Sequence, residues 1–430
     1  MKQLYNRTLA FFSIIQSKIA FYPTTFAIIG VLSAFLLFYL EERGISRYLV
    51  DHIPFLVVNN STTALTIISA LMTGLISMMV FSFSMVMLLL SQASNNYSPR
   101  LLPELISDKV HQIILGVYLA TILYLIFILF SIQPTGDKYQ TPGFSVLIGI
   151  LGSVICIYAF IYFIHNISQS IQINNIMDGI HNLAKIKLNA MIEDDSKSSN
   201  EFPSSEHWYE YSTEESGYLQ NISISNLMDI CDKKNTQIHI LPITGTFVLK
   251  GIPLFKSKEE LDEKTIKVIL ANFNLARAEL VADNYLLAFK QITEVIVKAM
   301  SPGINDPGTA INGIDYLTEL FSLRLLKKEN NVIGRDEKAF IKINSVSFSE
   351  LIYNVMASIR TYCKHDIILV QKLVIMFKYL KMQKMENTGN LKSIDLEAKT
   401  LLNDARSSIT NTRDLQTVEK MAVDFGLKII

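Results

Sequence analysis

A chain of 430 residues with 39 basic and 39 acidic groups has no net charge to attract nucleic acid, and no basic run interleaved with aromatics offers a groove for it. Half of the residues are hydrophobic, high for a soluble enzyme of this size; they concentrate before about residue 165, while the charges lie mainly after it. This distribution points to a membrane half followed by a soluble half and argues against a nucleic-acid partner.

The first twenty residues contain Lys2, Arg7 and Lys18 but no continuous apolar core with a small-residue cleavage site, so the N-terminus is expected to stay on the protein. The stretch NRTLAFFSIIQSK reads either as an interfacial amphipathic segment or as an extension of the first span. Four apolar runs reach spanning length: about Ala20 to Leu40, Thr62 to Ser91, Ile113 to Gln133 and Phe144 to Ile164. No ionisable side chain lies inside them, which leaves a proton relay or charge-coupled pump without a carrier. Lys and Arg are more frequent in the N-terminal tail, around Arg100 and Lys109, and near Lys185 and Lys187 than in the other loops. With an even number of spans, that bias is expected to place both termini in the cytoplasm. Membrane lipid is the expected surrounding partner.

The second span stands apart. From Ser61 to Pro99 it contains no charged residue or histidine, and its apolar part is ~45 Å long at the helical rise. Small and hydroxylated residues recur on it at steps of three and four. The candidate pathway residues are Thr73, Ser77, Val80, Ser84, Met87 and Ser91, with Arg100 beyond the Pro99 turn as a charge filter. Such a face serves either close helix packing or a water-filled path through a homo-oligomer, with Val80 and Met87 as apolar constrictions for an ion or small solute.

After the fourth span, apolar positions at Ile164, Ile167, Ile171, Ile176, Ile180 and Leu183 continue in helical spacing on an amide-rich stretch, which predicts a helical stalk. The Ser-rich, acidic EDDSKSSNEFPSSE reads as a linker. Two short strands around a turn near Glu215 to Gly217 follow, then a helix capped by Ser223 or Ser225 and ending near Asn235, the strand QIHIL, and turns at Gly245 and Gly251. GTFVLKGIPLF loosely resembles strands of lipoyl-like domains. It lacks the carrier lysine at a hairpin tip, so no cofactor is expected, and His239 reads as a satisfied, half-buried histidine. Ser257 with Glu260 predicts a capping box for a helix from about Lys258. A helix over about Ala282 to Met300 precedes SPGINDPGTAINGIDYL. There Ser301-Pro302 and Asp306-Pro307 both match an N-cap and first-turn signature, so two closely spaced helix starts are expected. Beyond Lys338 four helices are predicted: Ser349 to Cys363, His365 to Gln383, Leu391 to about Ile409 and Thr412 to Phe425.

The stretches RAELVADNYLLAFKQITEVIVKAMSPGINDPGTAINGIDYL, FSFSMVMLLLSQASNNYSPRLLPELISDKVHQIILGVYLATILYL, SGYLQNISISNL and GTFVLKGIPLF together resemble the bacterial predicted membrane-protein family called domain of unknown function 2254. The resemblance covers most of the chain and implies four spans followed by a cytoplasmic domain. It also implies a candidate ligand or assembly site at Arg277, Asp283, Ser301, Asn305, Asp306, Thr309 and Asp315. The family's Arg-Thr pair is here Arg277-Ala278, and its Asp is followed by Asn284 and Tyr285 rather than Phe-Gly.

The fold expected is thus an α-helical membrane protein with four transmembrane helices and a cytoplasmic α+β domain. Its parts are a transmembrane domain over 1–165, a stalk over 166–192, a linker over 193–205, a small mostly β unit over 206–256 and a helical domain over 257–430. No phosphate loop, metal-ligand spacing or nucleophile elbow is present, and Cys156, Cys231 and Cys363 are too far apart in sequence for a metal or redox motif. No catalytic or metal residue follows from the sequence. A homo-oligomeric channel or passive pore is the leading expectation, and a membrane-anchored sensor or scaffold is the alternative. An enzyme acting on lipid near Arg100 and Asp108 is a third reading.

Overall fold

Where the sequence strings together twenty or more apolar residues, only a helix satisfies the backbone without water. A computed structural model of the chain describes residues 20–52, 57–58, 60–96, 109–132, 142–170, 172–195, 202–276, 284–329, 331–335 and 338–426. Among these, four helices are long and apolar enough to cross a membrane. They are α1 (Phe21–Glu42), α3 (Ser61–Asn96), α4 (Lys109–Ser131) and α5 (Gly143–Ser170), with a short α2 (Ile45–His52) after the first. The N-terminal amphipathic stretch lies outside the described residues. The chain divides into two compact units between Gln172 and Ile173.

In the first unit α4 is the central helix, packed on α1, α3 and α5. Its contact with α1 is close because Gly30 of α1 meets the Ala120 backbone of α4, and Gly116 of α4 makes room for the Phe26 ring. Gly30 and Ala34 are buried on α1, and Gly116 and Ala120 lie on α4; a Cβ added at Gly30 would stand 2.3 Å from the Ala120 carbonyl oxygen. At one end, the Glu41 carboxylate accepts hydrogen bonds from the backbone N–H and the hydroxyl of Ser145, both at 2.9 Å. The last turn of α1 thus satisfies one of the free amides of α5, and Ser46 of α2 takes the Phe144 amide at 2.9 Å. Tyr124 donates to the Ser145 carbonyl at 2.7 Å, adding α4 to the same knot.

The second unit begins with α6 (Ile173–Asp195). Within the stretch read as a stalk, α5 ends at Ser170 and α6 starts at Ile173. Buried Met177, Ile180, Ala184 and Leu188 on α6 pack against α9 (Tyr285–Ala299) and α10 (Pro307–Leu326). The remaining helices are α11 (Phe348–Cys363), α12 (Ile367–Met382), α13 (Asn390–Ser408) and α14 (Thr412–Asp424). Ser347, Asp366 and Asn411 cap α11, α12 and α14 with their side-chain oxygens.

The β region departs from the expectation in three ways. Strands β1 (Tyr209–Ser212) and β2 (Gly217–Ile222) do not pair with each other; β1 joins β5 (Pro253–Ser257), and β2 joins β4 (Phe247–Val248) and β6 (Phe273–Ala276). The 206–256 segment is not self-contained either. β3 (Ile238–Ile240), β7 (Val332–Arg335) and β8 (Lys338–Ile343) complete a five-stranded sheet in the order β1-β5-β3-β8-β7, with β8 parallel to β3. The segment expected to be helical after residue 257 therefore supplies three strands. Finally, Ser257 caps no helix. It ends β5, fully buried, with its hydroxyl 3.0 Å from that of Thr236. The next helix, α8 (Glu263–Leu270), is capped by Asp262, which accepts from the Thr265 amide. Ladder pairing of Ser257 with both Tyr209 and Ile238 outweighs its capping preference. Helix α7 (Ile224–Lys234) follows Ser223, which makes no side-chain cap bond, and ends on left-handed Asn235.

Candidate functional site

Along α3 the side that packs inward carries Ala64, Ile68, Leu75 and Ser82, all buried. The opposite side carries Thr73, Ser77, Val80, Ser84, Met87 and Ser91, all exposed within the single chain. Exposure alone does not distinguish this face, since Val80 and Met87 at 58% and 53% match Ile155 of α5 at 58%. Composition does. Ser69, Ala70, Thr73, Gly74 and Ser77 form an exposed patch of small and hydroxylated residues, and beyond Gly74's neighbours and its own helix backbone no atom of the described residues lies within 4 Å of where a Gly74 Cβ would be. Thr73 donates its hydroxyl to the Ser69 carbonyl and Ser77 to the Thr73 carbonyl, each at 2.9 Å. Bonded in this way, the hydroxyls need no water to be stable, while their oxygens can still accept a further hydrogen bond. Arg100 lies outside the described residues.

The SPGINDP segment folds as a tight corner between α9 and α10. Ser301 is not an N-cap; its hydroxyl donates to the Lys298 carbonyl at 2.7 Å and helps close α9. Asn305 takes a left-handed φ of 49°, a conformation that Asn tolerates better than most residues, and its N–H reaches the Ser301 carbonyl at 3.0 Å. Asp306 is the one true helix start. Its carboxylate accepts from the Thr309 amide at 3.1 Å and the Thr309 hydroxyl at 2.6 Å, and these bonds hold its carboxyl below the usual range. Ser301, Asn305, Asp306 and Thr309 are thus brought together, whereas Asp315 lies apart, paired with Lys372 at 2.6 Å. Arg277 and Asp283 lie outside the described residues.

Two polar groupings had no signal in the sequence. On α6, buried His181 has its Nε2 2.9 Å from Glu319 of α10, which Lys185 also reaches at 2.6 Å; the Lys185 hydrogen bond, followed by the neighbouring His181, lowers the Glu319 carboxyl. On the sheet, His239 lies between Ser205, whose Oγ is 2.6 Å from Nδ1, and Asn344, whose Oδ1 is 2.9 Å from Nε2. Asn344 comes 105 residues after His239, just past an unforeseen strand, and Ser205 falls in a segment read as a linker. No local spacing joins them. Among the described residues, no group of three or more His, Cys, Asp or Glu side chains could hold a metal ion.

The profile of a family described as predicted membrane protein, domain of unknown function 2254, matches residues 16–379. Uncharacterised proteins of Mycobacterium bovis and Mycobacterium tuberculosis are each 22% identical over 393 residues, covering 86% of this chain and 73% of their own length. No solved structure matches the chain.

Proposed function

The chain belongs to the domain of unknown function 2254 family of predicted membrane proteins, and from that premise we propose that it is a homo-oligomeric channel or passive pore of a bacterial cytoplasmic membrane. In this reading α3 of each copy faces the shared axis, and an ion or small solute passes along Thr73, Ser77, Ser84 and Ser91. Val80 and Met87 form the apolar narrowings, and Arg100 sets charge preference at the mouth. The second unit and both termini lie in the cytoplasm, where the unit acts as a gating or assembly collar.

The observation that supports this is the outward patch from Ser69 to Ser77. Within the unit, the contact of Gly30 with the Ala120 backbone shows what such residues do when packed: they let two membrane helices approach closely. On α3 the same kind of surface has no partner among the described residues of its own unit. A second copy supplies one, and several copies around an axis line a path with hydroxyls.

The alternative, a membrane-anchored sensor or scaffold, draws on a different observation. Thr73 and Ser77 are satisfied by their own helix, so α3 does not require water, and the signature corner is exposed for a ligand or protein. Planar bilayers distinguish the two. The pore reading predicts conductance that Ser77→Leu and Ser84→Leu reduce. No conductance under voltage, tension or ligand, with no axial symmetry in the particle, would sink it. The scaffold reading predicts that Asp306 or Thr309 substitutions alter a binding partner while α3 substitutions change little.

A further inference from the structure

Strand pairing places one row of charge across the larger sheet. Glu210 of β1 is opposite Lys256 of β5, Lys256 is opposite His239 of β3, and His239 is opposite Lys342 of β8. Residues directly opposite across a sheet share one face, so the imidazole has a lysine on either side. Lys256 is neutralised by Glu210 at 2.8 Å, whereas Lys342 has no carboxylate partner among the described residues.

Hydrogen bonds fix the state of that imidazole. The Asn344 amide nitrogen donates to the Leu241 carbonyl at 2.8 Å, which sets the orientation of the amide and leaves Oδ1 as an acceptor. Oδ1 lies 2.9 Å from Nε2, so Nε2 carries the proton and Nδ1 presents its lone pair. Ser205 Oγ, 2.6 Å from Nδ1, must then be the donor. His239 is only 9% exposed, and Ser205, partly exposed, covers its outer edge. Burial, aided by Lys342 and Lys256 and opposed by the Asn344 bond, lowers the basicity of the imidazole and keeps it neutral.

We propose that Ser205 is an activated serine nucleophile, with His239 as its general base and Asn344 as the positioning residue, acting on esters that carry an anionic substituent. The Ser205 oxygen bonds to the ester carbonyl carbon while its proton moves to Nδ1. The C–O bond to the leaving group then breaks, and the imidazolium returns that proton to the departing alkoxide, releasing an alcohol. Water repeats the sequence on the acyl-serine: its proton goes to Nδ1 and back to Oγ, and a carboxylic acid leaves. Lys342 supplies the charge that favours an anionic ester. The inference does not depend on the pore reading.

The test uses full-length protein in detergent with a fluorophosphonate trap and two nitrophenyl esters, acetate and the anionic mono-succinate. The expected result is a stoichiometric adduct mapped by mass spectrometry to Ser205, with no adduct in Ser205→Ala and unchanged labelling in Ser204→Ala. His239→Gln slows acylation by ~100-fold or more, the scale of a lost general base. Asn344→Asp keeps activity and moves the pH profile upward, while Asn344→Leu loses it. The succinate ester is preferred, and Lys342→Gln removes the preference. Thermal unfolding checks each variant, and adduct mapping on the unmodified protein needs no variant. Absence of an adduct at Ser205, or an undiminished rate in folded His239→Gln, overturns the proposal; equal rates for both esters overturn its substrate class.

Discussion

Asp306 shows how much a single side chain does at a helix start. Its two oxygens satisfy the Thr309 amide and hydroxyl, and the following Pro307 has no N–H to satisfy. Asp306→Ala should cost about 1 kcal/mol, read as a lower unfolding temperature and faster amide exchange at the head of α10. Because the fold lowers this carboxyl, its contribution is present above the unfolded Asp value of about 3.9 and is lost as pH falls through the folded one. His239, also lowered, follows the same sign in a higher window. Its contribution is full above the unfolded His value of about 6.5 and declines as pH falls toward the folded one. Unfolding curves from pH 7 downward should therefore lose less stability in His239→Gln than in the unmodified chain. The Asp306 cap was legible because an N-cap is a local signal. The His239 relay was not, because its three members come from separate parts of the chain and meet only when the sheet forms.

At the scale of elements, two glycines separate fold from assembly. Gly30 faces backbone of α4, which cannot yield as a side chain can, so Gly30→Leu should destabilise the first unit by roughly 1–3 kcal/mol, the usual cost of overpacking. Gly74 faces open space in its own unit, so Gly74→Leu should leave the unfolding temperature of the single chain unchanged and weaken its self-association, measured by light scattering in detergent. The spanning helices and α9 to α14 could be read from the sequence, because their apolar spacing runs for more than three turns. β7 and β8 could not. They are four and six residues long, and β8 is held by a parallel pairing to a strand about a hundred residues earlier. Ser257 misled for a related reason, since its capping preference gave way to ladder bonds on both sides.

For the whole molecule, apolar residues concentrate before about residue 165 and charges after it, as a bilayer and water would select, and the chain divides into two compact units between Gln172 and Ile173. In the proposed pore, what covers the outward face of α3 is decided between copies, and a single sequence carries no record of a symmetry axis. The central claim is that this face meets its counterpart. Cys156, Cys231 and Cys363 are all buried, so an added thiol can report a contact cleanly. Oxidative cross-linking of the full chain in membranes compares Ser77→Cys on α3 with Ile155→Cys on the equally outward side of α5. The account predicts a covalent dimer at Ser77 and little at Ile155; cross-linking at Ile155 with none at Ser77 would contradict it.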